Sequence, residues 1–233
     1  MRAVAAPITV LFALLLSLTA CAQDSAPAKF KPGMDYQVLP QAVPQRDDSK
    51  IEVTEMFWYG CPHCYHFEPE FEQWVSKLPA DVSLLKIPAI WRPVMDVHAR
   101  LYYVADEMGV LDKMHRPIFT AIAKEHQMFA TREGRDWKPD LPAIAKLFNE
   151  NGADGAEAAK LMDSFAVSSR VKQGMANQRA YHLGGTPEIV VAGKYRISTA
   201  LPGLKGKANG QELMLQVADY LISKERIERD KRS

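Results

Sequence analysis

The sequence of 233 residues has 29 lysines and arginines against 28 aspartates and glutamates, which gives a formal net charge of +1. With 47% hydrophobic and 24% charged residues, this is the composition of a globular protein, not of a disordered or collagen-like chain. No basic stripe marks a nucleic-acid-binding protein, and the sequence has no Gly-rich phosphate loop, G-x-S-x-G or H-E-x-x-H motif.

The first segment has the features of an export signal. A positive start at Arg2 precedes the apolar run Val10–Leu18 and then small residues. The run is too short to span a membrane and polar sequence follows at once, which favours a secretory signal. Two processing sites overlap, because A-C-A ending at Ala22 fits a small-x-small cleavage site and L-T-A-C ending at Cys21 resembles a bacterial lipobox. Plain secretion with Cys21 discarded and lipidation of Cys21 both remain open.

A strand and a helix are predicted next. Residues 50–60, K-I-E-V-T-E-M-F-W-Y-G, are rich in β-branched and aromatic side chains and end in glycine, which predicts a strand. Apolar residues then recur at helical spacing, so a helix begins at or just after Cys61. Pro62 suits its first turn, where a missing N–H costs nothing, and Pro69 is expected to kink or restart it. Residues 81–91 predict a second strand, which completes a βαβ unit.

The rest of the chain is first helical and then returns to β structure. From about Val97 to Leu183 the pattern is almost wholly helical. Residues 186–199, T-P-E-I-V-V-A-G-K-Y-R-I-S-T, predict a hairpin with Ala-Gly-Lys at the turn. Residues 211–227 close the chain as an amphipathic helix. The layout is a small α/β domain with a long helical insertion.

Two cysteines, Cys61 and Cys64, are left once Cys21 is assigned to the export segment. An exported chain with only these two is typical of a compartment in which disulfides persist. A bridge that closes so short a loop removes little entropy from the unfolded chain, so it is a poor structural crosslink. A disulfide that is exchanged with other proteins fits this spacing better.

The sequence resembles the DsbA family, thioredoxin-fold disulfide oxidases of the bacterial periplasm. The resemblance is carried by E-M-F-W-Y-G-C-P-H-C-Y-H-F-E from Glu55 to Glu68 and by G-G-T-P-E-I-V-V-A-G-K-Y from Gly184 to Tyr195, with a helical insertion between them. It covers nearly all of the mature chain and implies an α/β thioredoxin fold with an inserted all-helical domain.

This resemblance suggests a division of the chain into four parts. Residues 1–22 are the signal segment and residues 23–35 are a flexible tether. Residues 36–96 and 184–233 together form the thioredoxin-like domain. Residues 97–183 form the inserted helical domain.

The C-P-H-C run is expected to carry the chemistry. Cys61 lies at a helix N-terminus, where free N–H groups and the helix dipole favour a thiolate, and a thiolate is both nucleophile and leaving group in disulfide exchange. We predict Cys61 as the attacked sulfur and Cys64 as its buried resolving partner. His63 could add a charge or a hydrogen bond, and Pro62 completes the catalytic dipeptide.

Residues Thr186 and Pro187 form the second predicted part of the site. The resemblance implies that Pro187 is cis and packs against the cysteine pair, although X–Pro bonds in general are mostly trans. Thr186 would then offer its backbone to an extended substrate strand and its hydroxyl to the sulfurs.

Glu55 and Lys86 are charged residues on otherwise apolar predicted strands. The resemblance implies a buried pair that assists proton transfer to and from Cys64; the alternative is two edge-strand charges that face solvent. Four further histidines lack ligand spacing, and surface or core roles are expected for them: His98, His115, His126 and His182.

The predicted function is that of an exported thiol:disulfide oxidoreductase that donates its Cys61–Cys64 disulfide to folding proteins with free thiols. The resemblance implies a quinone-linked inner-membrane oxidase of the DsbB type as partner, no cofactor beyond the disulfide, and a monomeric periplasmic protein. Two alternatives are a periplasmic isomerase or reductase, and a metal carrier that uses Cys61, His63, Cys64 and His66. No resident metal site is expected.

Overall fold

The computed structural model describes residues 29–231, so Cys21, the signal segment and residues 23–28 of the predicted tether lie outside the described residues. The strands are β1 (Gln37–Val38), β2 (Ile51–Phe57), β3 (Val82–Pro88), β4 (Ala130–Glu133), β5 (Asp136–Pro139), β6 (Glu188–Val191) and β7 (Tyr195–Ser198). The helices are α1 (Pro62–Val75), α2 (Pro93–Glu107), α3 (Leu111–Phe119), α4 (Leu141–Glu150), α5 (Gly155–Leu161), α6 (Phe165–Ala180) and α7 (Gly210–Asp230). A π-helical turn, Thr120–Lys124, directly follows α3.

A five-stranded sheet in the order β1-β7-β6-β2-β3 forms the centre of the fold. β2 and β3 are parallel, as the predicted βαβ unit requires, and the other neighbouring strands are antiparallel. All of β2 is buried because it lies between β3 and β6. Ile189 of β6 packs in one apolar cluster with side chains of α1 and α7, whereas the next residue, Val190, packs in another cluster on the opposite face. The two-residue strand β1 was not predicted.

Helix α1 begins at Pro62 as predicted, but it does not restart at Pro69. Proline has no N–H, so the carbonyl one turn earlier, that of Tyr65, loses its helical donor. Arg116 of α3 donates to that carbonyl at 3.1 Å. The bond replaces the missing N–H, and α1 continues to Val75.

The inserted segment is not all-helical, which corrects the prediction. β4 and β5 pair as an antiparallel hairpin; the run between Thr131 and Lys138 lacks helical periodicity, and Gly134 at its turn has a φ of 63°. Within this segment α5 and α6 are separate helices, because the Ser164 side chain accepts from the Val167 N–H and caps a new helix.

The C-terminal part follows the prediction closely. β6 and β7 form the hairpin with its turn at Ala192, Gly193 and Lys194, and α7 packs against it. The end of the predicted tether does not behave as a tether, since Phe30 is buried with its ring 5.6 Å from that of Tyr220 on α7. In residues 29–231 no helix is long and apolar enough to cross a membrane. The domain boundaries at residues 97 and 184 stay predictions.

Candidate active site

Cys61 and Cys64 lie at the start of α1, with Cys61 as the N-cap residue. The Cys64 backbone N–H donates to Cys61 Sγ at 3.4 Å, and the same sulfur lies 3.5 Å from the carbonyl oxygen of Thr186. The two thiols are not bonded to each other. Cys61 is 7% exposed, whereas Cys64 is completely buried. An incoming thiolate therefore meets Cys61 first.

The environment separates the pKa values of the two thiols. Hydrogen bonds lower the pKa of Cys61 to about 5; the largest contribution comes from the Cys64 thiol and outweighs burial, and Thr186 and the backbone N–H groups of Cys64 and His63 add to it. Burial, followed by the hydrogen bond and the charge of Cys61, raises the pKa of Cys64 well above its ordinary value. At neutral pH the pair is one thiolate and one thiol.

His63 and Pro62 are both exposed on the first turn of α1. The His63 carbonyl accepts a hydrogen bond from the side chain of Gln211 on α7 at 2.8 Å. His63 acts on the Cys61 sulfur through its backbone N–H. The charge or side-chain hydrogen bond expected from its imidazole is not among the contacts of the described residues.

Thr186 and Pro187 lie opposite Cys61, as predicted. The peptide bond between them is cis. They precede β6, so the sheet brings them next to the end of β2 and the start of α1. Chain segments 125 residues apart thus meet at one sulfur.

Glu55 is completely buried and the Lys86 side chain that faces it is only 8% exposed, so the solvent-exposed alternative is wrong. They are register partners in β2 and β3, and Lys86 Nζ lies 3.6 Å from Glu55 Oε2. That distance is beyond a hydrogen bond, and neither Glu55 oxygen has a hydrogen-bond partner among the described residues. Lys86 Nζ also lies 2.8 Å from Glu68 Oε1 and pairs with Glu72.

Burial and neighbouring charges give the acids of this cluster different pKa values. Burial raises the pKa of Glu55 to about 8, against the opposing charge of Lys86. Burial also disfavours the charged form of Glu68, but its hydrogen bond with His115 and the charge of Lys86 outweigh that and lower its pKa to about 2. The carboxylates around Lys86 raise the pKa of the lysine despite its burial. At pH 7 Glu55 is mainly protonated, while Glu68 and Lys86 are charged.

Three members of this cluster were not predicted from the sequence: Glu68, Glu72 and His115. His115 Nε2 lies 2.9 Å from Glu68 Oε1, and His115 Nδ1 lies 2.7 Å from the hydroxyl of Tyr59. For Glu68 a signal existed, because it follows Cys64 by four residues and shares its helix face. For His115 the predicted core role holds, but its contacts with residues far along the chain had no sequence signal.

A cation position exists in the same cluster. Glu68, Glu72 and His115 each offer a ligand atom within 4.8 Å of the others, and no other group of histidines, cysteines and acids in residues 29–231 meets that condition. Lys86 Nζ bonds to both carboxylates and supplies the positive charge there. Cys61, His63, Cys64 and His66 do not form such a group, so the metal-carrier alternative has no support here.

The charged cluster reaches solvent through a groove of 590 Å³. Its lining includes Glu68, Glu72, Lys86 and His115, together with apolar side chains, and it does not include either cysteine. Water can therefore approach Glu68 and Lys86 from a side that the thiols do not share.

Comparison with known proteins places the chain among relatives of one family. The family model of the DSBA-like thioredoxin domain matches residues 84–214. A relative from Azotobacter vinelandii, "Thiol:disulfide interchange protein DsbA", is 40% identical over 212 residues, which is 91% of this chain and 92% of that protein.

Solved structures show the same architecture. The crystal structure of Pseudomonas aeruginosa DsbA matches with a TM-score of 0.76 at 36% identity and covers 86% of this chain and 97% of that one. The structure of the oxidoreductase DsbA from Xylella fastidiosa matches with a TM-score of 0.72 at 29% identity, over 84% of this chain and 98% of that one. The chain with its Cys61–Cys64 pair at the start of α1 belongs to the DsbA family of thiol:disulfide interchange proteins.

Proposed function

We propose that this protein is a thiol:disulfide oxidoreductase that donates the Cys61–Cys64 disulfide to proteins with free thiols. The observation that carries the proposal is the asymmetry of the pair, in which Cys61 is a stabilised thiolate and Cys64 a buried thiol. A stabilised thiolate favours the reduced enzyme, so the oxidised enzyme tends to pass its disulfide on.

The reaction consists of two exchanges. A substrate thiolate attacks Cys61 Sγ, the Cys61–Cys64 bond breaks, and Cys64 leaves as a thiolate that takes up a proton. A second substrate thiolate then attacks the substrate sulfur of the mixed disulfide, and Cys61 leaves as a thiolate. The substrate has lost two electrons and gained a disulfide, and the enzyme holds two thiols.

Glu55 is the proposed acid for Cys64. When it is ionised, its charge contributes to raising the pKa of Cys64; its own pKa of about 8 leaves it mainly protonated at neutral pH. Protonated Glu55 supplies the proton that the leaving Cys64 thiolate needs, and Lys86 stabilises the carboxylate that remains. Proton exchange with solvent proceeds through the groove beside Lys86.

The loop at Thr186 and Pro187 is the proposed substrate-binding edge. Its backbone faces Cys61, so an extended substrate segment would bond to main-chain groups and need no particular side chains. Pro62 and His63 are exposed next to Cys61, where they would contact the bound segment.

The proposal also covers the cellular location of the enzyme and its redox partner. The N-terminal sequence supports export to the periplasm, where the protein acts as a monomer on folding exported proteins. A quinone-linked oxidase of the DsbB type in the inner membrane returns the dithiol to the disulfide. Cys21 carries a lipid if the lipobox is used, and digestion to peptides followed by mass spectrometry of residue 21 distinguishes the two cases.

Equilibration of the purified protein with a glutathione redox buffer tests the function. We expect a strongly oxidising pair, with half of the protein reduced at a low ratio of reduced to oxidised glutathione. A potential as reducing as that of thioredoxin would contradict the donor role and favour the reductase alternative. A Cys64→Ser variant, which retains mixed disulfides, identifies the substrates that are trapped in cells.

A further inference from the structure

One imidazole touches both chain segments that flank the cysteine pair. Tyr59 lies two residues before Cys61, and its hydroxyl is 2.7 Å from His115 Nδ1. Glu68 lies four residues after Cys64 on α1, and its Oε1 is 2.9 Å from His115 Nε2. His115 itself comes from α3 in the inserted segment.

The partners define the tautomer of His115. Ionised Glu68 only accepts hydrogen bonds, so His115 Nε2 carries the proton and donates to it. Nδ1 is then free to accept from the hydroxyl of Tyr59. Lys86 Nζ, 3.3 Å from Nε2, faces the same carboxylate, and burial lowers the pKa of His115. The ring is a neutral bridge with one donor and one acceptor in use.

The bridge has little freedom to move. Aromatic rings meet the His115 imidazole edge-on with centroids between 5.1 and 5.9 Å away: Phe57, Tyr59, Tyr102 and Phe119. His115, Tyr59 and Glu68 are all buried. A rotated ring would leave a buried hydroxyl or carboxylate without its hydrogen-bond partner, which is unfavourable because the desolvation of that group is then uncompensated.

We propose that His115 is a positioning residue of the redox site, which holds the Tyr59 segment and α1 in the relative placement that stabilises the Cys61 thiolate. The proposal rests on the proposed function. The hydrogen bond from the Cys64 N–H to Cys61 Sγ spans the two held segments, and hydrogen bonds weaken steeply with distance and angle. A small shift of either segment therefore changes the stability of the thiolate.

The test compares His115→Phe and Tyr59→Phe with the unsubstituted protein. His115→Phe keeps a ring in the site but removes both hydrogen bonds; Tyr59→Phe removes one. We expect the apparent pKa of Cys61, followed by thiolate absorbance at 240 nm, to rise in both variants. The equilibrium with glutathione should shift threefold to tenfold toward a less oxidising enzyme, and tenfold corresponds to about 30 mV. Tyr59→Phe should add little in the His115→Phe background, because the Tyr59 bond is already lost there.

Two conservative variants separate the two hydrogen bonds. His115→Asn keeps an acceptor near the Nδ1 position and His115→Gln keeps a donor near the Nε2 position, so each should restore part of the shift. Phe148→Leu is the matched control. Phe148 is buried in the apolar cluster that also contains Tyr59, but it is not a hydrogen-bond partner of Tyr59 or Glu68. This variant should lower the melting temperature and leave the Cys61 titration unchanged.

The outcomes are distinct. A folded His115→Phe protein with an unshifted Cys61 titration and glutathione equilibrium, and with only the stability loss of Phe148→Leu, would overturn the proposal. If His115→Phe does not fold, Tyr59→Phe and His115→Gln decide the question by the same two measurements. An ordinary Cys61 thiol in the unsubstituted protein would instead contradict the proposed function.

Discussion

The two sulfurs of the active site are three residues apart and yet have opposite acidities. The fall in the Cys61 pKa from 9.0 to about 5 corresponds to ~5 kcal/mol. A helix N-terminus contributes only ~0.3–2 kcal/mol, so the hydrogen bonds to this sulfur, first of all that from the Cys64 thiol, carry most of the effect. Cys61 donates its disulfide because the surrounding groups are already oriented toward an anion.

The lowered Cys61 pKa predicts how the stability of the reduced protein depends on pH. Folding favours ionised Cys61, so this contribution is fully present above the pKa of about 9 in the unfolded chain and is lost as the pH falls through about 5. Between pH 5 and 8.5 the reduced protein should gain up to ~1.4 kcal/mol per pH unit relative to the oxidised protein. Urea unfolding of both forms across this range measures the difference. Cys61→Ala, which forms no disulfide and has no thiol at position 61, should lack the pH-dependent gain of the reduced protein, and equal slopes for both forms of the unsubstituted protein would contradict the prediction.

A Glu55→Gln variant should change the pH dependence of the exchange rate. Below pH 8 Glu55 is protonated and can protonate the departing Cys64; above pH 8 it cannot. We expect the rate per substrate thiolate to fall above pH 8 by up to about 100-fold, the lower end of what a general acid supplies, and Glu55→Gln to lack this decrease. Stopped-flow reduction of the oxidised enzyme by a thiol peptide measures it, with Glu52→Gln, another buried carboxylate of β2, as control. Identical profiles for Glu55→Gln and the unsubstituted protein would exclude Glu55 as the acid.

Helix α1 illustrates how one element depends on another. Pro69 would interrupt it if Arg116 of α3 did not donate to the Tyr65 carbonyl. The Arg116 guanidinium also lies 4.0 Å from the centre of the Tyr65 ring. The helix that holds the cysteines is thus completed by a side chain of the insertion.

Arg116→Ala should destabilise the protein by ~1 kcal/mol through the lost hydrogen bond. The loss should be smaller in a Pro69→Ala background, because the restored N–H of residue 69 bonds to the Tyr65 carbonyl. Free energies of unfolding in urea for the four proteins of this cycle measure the coupling. If Arg116→Ala costs the same in both backgrounds, the carbonyl of Tyr65 does not depend on Arg116.

Local patterns in the sequence were sufficient for the elements that hold the cysteines, but not for the contacts between elements. The strand before Cys61, the helix after it and the hairpin after Pro187 follow from periodicity and turn residues. The bond between Tyr59 and His115 joins positions 56 apart in sequence, where no periodicity connects them. The hairpin β4–β5 was missed because its residues are mostly exposed, so no apolar alternation marks it.

At the scale of the whole molecule, the first described residues pack on the face of the sheet that α7 also covers. Phe30 and Tyr36 lie in the apolar cluster that α7 shares with β6 and β7. The stretch from Phe30 to Tyr36, most of which was predicted to belong to a flexible tether, is therefore part of the fold.

Phe30→Ala should lower the free energy of unfolding by ~2 kcal/mol, the value of burying one large apolar side chain. Met34→Ala, at a side chain that is 46% exposed, is the control and should have little effect. Thermal or urea unfolding of the full chain measures both. Equal losses in the two variants would place Phe30 outside the cooperative unit.

The complete burial of Cys64 beside the accessible Cys61 has a practical consequence. An alkylating reagent such as iodoacetamide at pH 6 meets one ionised sulfur and one that is both protonated and screened. It should label Cys61 alone, and the reduced protein can then be isolated as a single homogeneous adduct. Spectroscopic reporters can be attached in the same way at the proposed substrate-docking point, without any engineered cysteine.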